Sequence, residues 1–264
     1  MTLVQACIAD KGDCVILIAD RLLTSTLSED LPSYEFESNT PKIIHKGNIV
    51  GVGFAGSSLY ADLATSKIDD KEDFDEITKV LSDFIKKEKD GVINSFIKRL
   101  TGVESKDFFT NSGLPIPQDV RDYIYGKLHK IDLDFQCVIA GFDKKGKART
   151  AIIDQNGDIA ETTNFNAACI GSGSPFANIY FDQYCYNLCM GVNEALLFAY
   201  EAKKWAQSHE GVGAKTDILT FRKNKTVLEI YDKSELIEKM NKKFEEEAER
   251  HINSRRNLLD GIIK

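Results

Sequence analysis

The chain has 264 residues, of which 42 % are hydrophobic and 28 % are charged, as is ordinary for a protein with a substantial core. Its net charge of −7 excludes a general nucleic-acid binder, which would be basic. No apolar run approaches the roughly 20 residues of a membrane span, so no membrane partner is predicted. No secretory signal is recognisable near the N-terminus, and we therefore expect a cytoplasmic location.

The first fifty or so residues predict two β-hairpins. Apolar segments 3–9 and 14–19 flank a short polar turn and are typical of two largely buried strands. Residues 22–41 are polar and predict a loop. Segments 42–45 and 48–54 then predict a second hairpin, which turns at Lys46-Gly47.

Helical spacing of apolar residues follows the second hairpin. It predicts a helix over 57–68, one or two helices over 73–100 and another over 119–129. Residues 102–116 contain Gly, Ser, Asn and Pro, and predict a loop.

The second half of the chain predicts strands again, then helices, strands and a last helix. Asn156-Gly157 is a hairpin-turn signal, and Ser174-Pro175 predicts an N-cap followed by Pro at the first helical position. Asp232 and Glu235 are expected to cap the last helix. The predicted strands are 135–141, 148–153, 167–170, 217–221 and 226–231, and the predicted helices are 174–186, 194–207 and about 232–259.

This element order predicts an α+β fold, in which two stacked sheets carry helices on both outer faces as a four-layer αββα sandwich. We assign residues 1–232 to one domain, with an enlarged helical insertion over about 69–134. Residues 233–264 form a separate charged helix, which is either a solvated face or a partner-binding one.

The cysteines predict neither a metal site nor a disulfide framework, since none forms a C-x-x-C pair or lies at zinc-type spacing from a histidine. Cys7, Cys137 and Cys169 lie in apolar runs, where a free thiol packs as a small hydrophobe. Cys185 and Cys189 are one helical turn apart, which predicts packing on a shared helical face. We expect reduced thiols, no metal and no cofactor.

Thr2 directly follows Met1, and removal of Met1 would give the threonine a free α-amine beside its hydroxyl. An α-amine has a pKa of about 7.7–8.0, so it can act as a base near neutral pH. One residue could then supply both the nucleophile and the base. Many chains begin with Met-Thr, so Thr2 alone is weak evidence.

Four ordered segments around Thr2 resemble the signatures of archaeal and bacterial proteasome β subunits, which are N-terminal-nucleophile hydrolases. Together they are a strong signal, although each is weak singly, and the resemblance covers about residues 2–60 and 135–231. The segments are 2–9 with 12–21, Lys42-Ile43 with 52–57, 138–143, and 170–177.

The resemblance implies roles for five residues. Thr2 would be the nucleophile, Lys42 would lower the pKa of its hydroxyl, and Asp20 would hold Lys42 by a charge-assisted hydrogen bond. Gly53 would donate its backbone N–H to the oxyanion, and Ser172 would lie near the α-amine. Each also has a plain structural interpretation as a cap, a solvated lysine or a turn residue, but their ordered occurrence favours the catalytic one.

Gly51 is predicted on the floor of the substrate pocket, because it lies two residues from Gly53 on one strand face. Without a side chain there, the pocket would accept a large apolar group. The alternative is that both glycines only relieve crowding between the layers.

Two features depart from the family pattern. His209 stands where the family has an Asp and Val212 where it has a Ser, while Gly213 fits. Glu210 is next to the Asp position and is the candidate to replace it. The segments 22–41 and 69–134 are also longer than usual, which suggests a lid over the cleft or an altered oligomer contact.

The resemblance implies a threonine-dependent peptide or amide hydrolase that acts through an acyl-enzyme ester. One alternative is a peptide ligase like archaeal connectase, a proteasome relative. Another is an inactive ring subunit that retains Met1. The implied partners are a peptide or protein substrate, further copies of the chain and a regulatory protein.

Overall fold

A computed structural model describes residues 2–25, 34–111, 113–165, 167–208, 211–232 and 234–262 of the chain. The strands are β1 Val4–Ala9, β2 Cys14–Asp20, β3 Leu22–Ser25, β4 Tyr34–Glu37, β5 Ile43–Lys46, β6 Val50–Gly56, β7 Phe135–Phe142, β8 Ala148–Ile153, β9 Ile159–Glu161, β10 Ala168–Ile170, β11 Thr216–Arg222 and β12 Leu228–Ile230. The helices are α1 Ser58–Lys67, α2 Phe74–Thr101, α3 Ser105–Thr110, α4 Gln118–Leu128, α5 Ser174–Gln183, α6 Val192–Gln207 and α7 Glu235–Ile262.

Two five-stranded antiparallel sheets form the centre of the protein. The first has the strand order β10-β1-β2-β11-β12, and the second has the order β5-β6-β7-β8-β9. Strands β3 and β4 pair only with each other and form a separate hairpin. Both predicted hairpins near the N-terminus are therefore confirmed, as β1–β2 and β5–β6.

Two interior strands of the first sheet, β1 and β2, are buried along their whole length. Successive side chains of a strand point to opposite faces, so a strand between two apolar layers needs apolar residues throughout. Val4 and Leu17 accordingly face the core between the sheets, whereas Cys7 and Ile16 face the core beneath the helices.

Helices cover the outer faces of both sheets. Helices α5 and α6 pack on the first sheet through an apolar core that includes Phe181 and Tyr200. Helices α1 and α2 pack on the second sheet through a core that includes Phe74 and Leu81. The four-layer αββα sandwich predicted from the sequence is confirmed.

The predicted helical insertion begins with one long helix, α2. The Asp73 side chain caps its first turn by accepting a hydrogen bond from the backbone N–H of Glu76. Its C-terminal half packs against α3 and α4 in a small separate core built on Ile97, Phe108 and Ile124. The predicted loop over 102–116 is thus wrong for the residues of α3.

Three local predictions are corrected. Residues 22–41 are not only a loop, since they contain β3 and β4. The N-cap of α5 is Gly173 rather than Ser174, so the proline occupies the second helical position. The Ser234 hydroxyl, rather than Asp232 or Glu235, accepts a hydrogen bond from the first turn of α7.

The cysteine predictions are correct in part. Cys7, Cys137 and Cys169 are buried as expected. Cys185 and Cys189 are exposed, and helix α5 ends before either of them, so their predicted packing on a helix is wrong. Within the described ranges, no helix combines the length and the hydropathy of a membrane span.

Candidate active site

Thr2 lies just before β1, where main-chain hydrogen bonds fix it on two sides. The backbone N–H of Asp20 donates to the carbonyl of Leu3 at 3.1 Å, which ties the start of β1 to the end of β2. The backbone N–H of Gly173 donates to the Thr2 carbonyl at 3.1 Å. These bonds fix the backbone of Thr2 at the start of β1, and this defines where its side chain begins.

Lys42 lies directly beneath the Thr2 hydroxyl. Its Nζ donates to Thr2 Oγ1 at 2.6 Å, to Asp20 Oδ1 at 2.9 Å and to the carbonyl oxygen of Leu22. Lys42 is only 8 % exposed, and this burial lowers the pKa of its amine, while Asp20 and Glu37 oppose the shift. The amine is therefore placed where, in its charged form, it can stabilise negative charge on the Thr2 oxygen.

Asp20 is fully buried and accepts four hydrogen bonds, as many as a carboxylate has lone-pair sites. Oδ1 accepts from Lys42 and from the backbone N–H of Leu3 at 2.9 Å. Oδ2 accepts from the backbone N–H groups of Leu22 at 3.0 Å and Gly213 at 2.8 Å. Both carboxylate oxygens are thus fixed, and with them the position of Lys42.

Ser172 lies on the other side of Thr2, in the turn that connects β10 to α5. Its Oγ accepts a hydrogen bond from the Thr2 backbone nitrogen at 3.2 Å. The preceding Gly171 has a positive φ of +86°, and a Cβ there would lie 2.3 Å from the Thr2 carbonyl oxygen. Glycine at position 171 therefore permits the close approach that brings Ser172 to the nitrogen.

A cavity of about 830 Å³ opens above Thr2 and Ser172. The β3–β4 hairpin contributes Leu23 and Phe36 to one wall, and the ends of β6 and β7 contribute the opposite wall. Of the described residues in the predicted insertion of about 69–134, Asp134 at its end is the only one that lines this cavity, so the helices of the insertion do not form the predicted lid.

The assignment of Gly53 as the oxyanion donor is wrong. Backbone bonds from Ser57 to Asp134 and from Phe142 to Ile49 fix the register of β6 on β7. In an antiparallel pair, every second residue of a strand is hydrogen-bonded to the neighbouring strand. Ile49 and Ser57 bond at the two ends of β7, so Gly53, which lies four residues from each, also directs its N–H toward β7. Its α-carbon faces Val4, and Gly53 does not line the cavity.

Gly56, unlike Gly53, is a glycine of β6 that lines the cavity. It lies at the end of β6, three residues after Gly53, and has a positive φ of +98°. The same alternation directs its N–H away from β7, toward the side of β6 on which Lys42 lies. A glycine at the junction of strand and helix, followed by Ser57-Ser58, was the signal in the sequence.

Gly51 is also absent from the cavity lining, so the prediction that it forms the pocket floor is wrong. A Cβ at this position would lie 2.7 Å from the Phe221 ring and 3.0 Å from Leu17. The missing side chain therefore makes room for packing between the two sheets, which was the alternative interpretation.

Gly53→Val should destabilise the protein by about 1–3 kcal/mol, because the new side chain would overpack the core between the sheets. Its Cβ would lie 2.4 Å from a Val4 methyl carbon. Gly126→Val is the control, since a Cβ at Gly126 meets nothing within 4 Å. Urea unfolding measures both, and equal free energies of unfolding for the two variants would contradict the packing assigned to Gly53.

The segment before β11 carries the departures from the family pattern. His209 and Glu210 lie outside the described residues. Val212 is buried and lies against Gly173, so it offers no hydroxyl to the site. The Gly213 N–H is bound to Asp20, and a Cβ at this glycine would lie 2.8 Å from Leu22 Cβ.

Sequence reasoning missed two charged residues that hold this segment. Lys203 on α6 is fully buried and donates to the carbonyl oxygens of Gly213 at 2.6 Å and Ala214 at 2.9 Å. Glu37 on β4 accepts from the Ala214 N–H at 2.6 Å. A lysine on the apolar face of α6, one helical turn from Ala199, was the available signal.

Burial lowers the pKa of Lys203 to about 7. Asp20, Glu37 and Asp232 favour the charged form and oppose this lowering, whereas Lys204 adds to it. The ammonium form has its three donors matched, since Nζ also contacts Gln207 Oε1 at 3.2 Å.

The buried thiols are poor alternatives as nucleophiles. Burial raises the pKa of Cys7 to about 12 and that of Cys14 to about 11, so neither is a thiolate near neutral pH. In the described part of the chain, no group of three or more His, Cys, Asp or Glu side chains could hold a metal ion.

Comparisons with known proteins show which family and which solved structure the chain is similar to. The model of the proteasome subunit family matches residues 121–217. A search of curated protein sequences gives no significant match. Among solved structures, a Gly-1 mutant of Anbu from Hyphomicrobium sp. strain MC1 superposes with a TM-score of 0.61 and 11 % sequence identity. The similarity covers 96 % of this chain and 97 % of that one.

The likeness to Anbu shows a shared fold at a level of identity too low to transfer an activity. The family match covers β7 to β10, α5 and α6, which include the turn that carries Ser172. The chain is thus similar to the proteasome subunit family over residues 121–217, and it shares the fold of Anbu over nearly its whole length.

Proposed function

We propose that the protein is a peptide hydrolase that uses Thr2 as its nucleophile after Met1 is removed. The observation that carries the proposal is the hydrogen bond of 2.6 Å from the buried Lys42 to the Thr2 hydroxyl. A lysine held beneath a threonine hydroxyl, with its own carboxylate partner, is an arrangement that activates a nucleophile.

The proposed reaction begins with attack of Thr2 Oγ1 on a peptide carbonyl. The hydroxyl proton passes to the free α-amine, which Ser172 orients through the contact now made by the Thr2 nitrogen. Negative charge develops on the carbonyl oxygen, where the Gly56 N–H donates a hydrogen bond.

Collapse of the tetrahedral intermediate breaks the amide bond. The proton moves from the α-amine to the leaving amine, and an ester remains on Thr2. Water, deprotonated by the same α-amine, then attacks the ester, releases the acid and restores the hydroxyl. Lys42 stabilises the Thr2 oxygen as a charged nucleophile and leaving group in both halves.

The cavity has a volume of about 830 Å³, which is large enough for several residues of an extended peptide. Its lining is mixed, since the apolar Leu23 and Phe36 lie in it together with the polar Ser57, Asp134 and Gln136. We expect the apolar part to accept a large apolar side chain beside the scissile bond. We also expect a homo-oligomer, which the similarity to proteasome subunits supports.

A fluorogenic peptide panel tests the proposal. Protein whose intact mass corresponds to a Thr2 N-terminus should cleave peptides after Phe, Tyr or Leu, and protein that retains Met1 should not. Cleavage by the Met1-retaining form at the same rate would contradict the role of the α-amine. If an added peptide amine, rather than water, captures the acyl group, the result would instead indicate a ligase.

A further inference from the structure

We propose that Lys203 is a positioning residue for the reaction, acting on Thr2 through the 213–215 segment and Asp20. The proposal rests on the proposed function. Lys203 reaches the segment from helix α6, beneath the first sheet, and does not line the substrate cavity. Its effect on Thr2 must therefore pass through other residues.

The first step of the coupling consists of the hydrogen bonds that Lys203 donates to two neighbouring carbonyl groups. A buried ammonium has three donors, and Nζ lies at 2.6, 2.9 and 3.2 Å from the oxygens of Gly213, Ala214 and Gln207. Two of these acceptors belong to the segment, so removal of Lys203 would leave the buried Gly213 carbonyl and the partly buried Ala214 carbonyl without this partner.

The second step is on the opposite side of the same peptide groups. Glu37 Oε1 accepts from the N–H of Ala214 at 2.6 Å, and from that of Lys215 at 3.3 Å. The segment is thus held from its carbonyl side by a cation and from its N–H side by a carboxylate. This opposed pair fixes the orientation of peptide groups that belong to no helix or strand.

The third step connects the segment to the nucleophile. The Gly213 N–H donates to Asp20 Oδ2 at 2.8 Å, and Asp20 Oδ1 accepts from Lys42, which contacts Thr2. A shift of the segment would remove one of the four hydrogen bonds that fix the carboxylate. Small misplacements of reacting groups cost up to about 100-fold in rate, so this connection is expected to be measurable.

The experiment measures acylation of mature protein by a peptide β-lactone, with separate values for the inactivation rate constant and the inhibitor affinity. Lys203→Met should lower the rate constant about 10- to 100-fold and leave the affinity within about two-fold of wild type. Lys204→Met is the control, because it removes a neighbouring charge that lies over the Phe244 ring. It should label like wild type.

A double-mutant cycle with Asp20→Asn identifies the route. If Lys203 acts through Asp20, adding Lys203→Met to Asp20→Asn should cost less than about two-fold more. Hydrogen exchange of residues 211–216 should also be faster in Lys203→Met. If the rate losses of the two single variants multiply in the double variant, the proposal is overturned. Labelling of folded Lys203→Met at the wild-type rate would also overturn it.

Lys203→Gln covers the case in which the methionine variant fails to fold, because its amide is polar but is shorter than the lysine side chain and carries no charge. It should label at a rate between those of wild type and Asp20→Asn, and a wild-type rate would overturn the proposal. Absence of labelling in the wild type itself would reject the proposed function, whereas a labelled wild type beside an equally labelled Lys203→Gln rejects Lys203 alone.

Discussion

Thr2→Ala should lower the rate of peptide cleavage by about 10⁵-fold or more, to a level set by binding and the oxyanion donor alone. Alanine is as readily exposed as threonine when Met1 is removed, so the α-amine is retained and only the hydroxyl is lost. The measurement is steady-state cleavage of the best peptide in the panel, with intact mass to verify the N-terminus.

Thr2→Ser is the matched control for this change. It keeps the hydroxyl in reach of Lys42 and should retain activity within about 100-fold of wild type, since only the orienting methyl group is lost. Equal rates for Thr2→Ala and wild type would show that another residue is the nucleophile.

Lys42→Met should lower the acylation rate of Thr2 by about 1,000-fold or more while the fold is preserved. The substitution keeps most of the buried side-chain volume and removes the only group that the structure places beneath the hydroxyl within the described residues. Loss of one such electrostatic contact costs about 10²–10³ in rate, and loss of the hydrogen bond that positions the hydroxyl adds to this.

The stability of Lys42→Met should change as well. Asp20 loses its charged partner, although three backbone N–H groups remain bound to it. Breaking a buried ion pair costs about 3–5 kcal/mol, so urea unfolding must accompany the kinetics. Lys46→Met, at the end of β5 and paired with the exposed Asp69, should change neither quantity by much. Near-wild-type acylation of folded Lys42→Met would contradict its assigned role.

Much of the fold could be predicted because local patterns and tertiary structure agree. The continuous apolar runs of β1 and β2 match strands that are buried on both faces. The β3–β4 hairpin was missed, since its strands pair only with each other and lie in a polar stretch. The alternation of aromatic and acidic residues in Tyr34–Glu37 was the available clue.

The sequence predicted the residues of the candidate site that act through their side chains, but not the one proposed to act through its backbone N–H. Thr2, Asp20, Lys42 and Ser172 were singled out by residue type and order, and the structure brings them together. The choice between Gly53 and Gly56 depends on which N–H groups β7 uses. That is set by long-range register, which the sequence does not encode locally.

Lys203 shows a different limit of sequence reasoning. A lysine on the apolar face of a helix is ordinarily expected to extend its amine to solvent. Here the carbonyls of a segment ten residues further along the chain accept its hydrogen bonds, and this contact exists only after α6 has packed on the first sheet.

The measurement that tests the central claim most directly is peptide mapping after treatment of the mature protein with a threonine-reactive epoxyketone. This reagent needs both the hydroxyl and the α-amine of an N-terminal threonine. The account predicts a single adduct on the peptide that begins with Thr2, and its loss in Lys42→Met. An adduct at any other residue, or none on protein whose N-terminus is shown to be Thr2, would contradict the account.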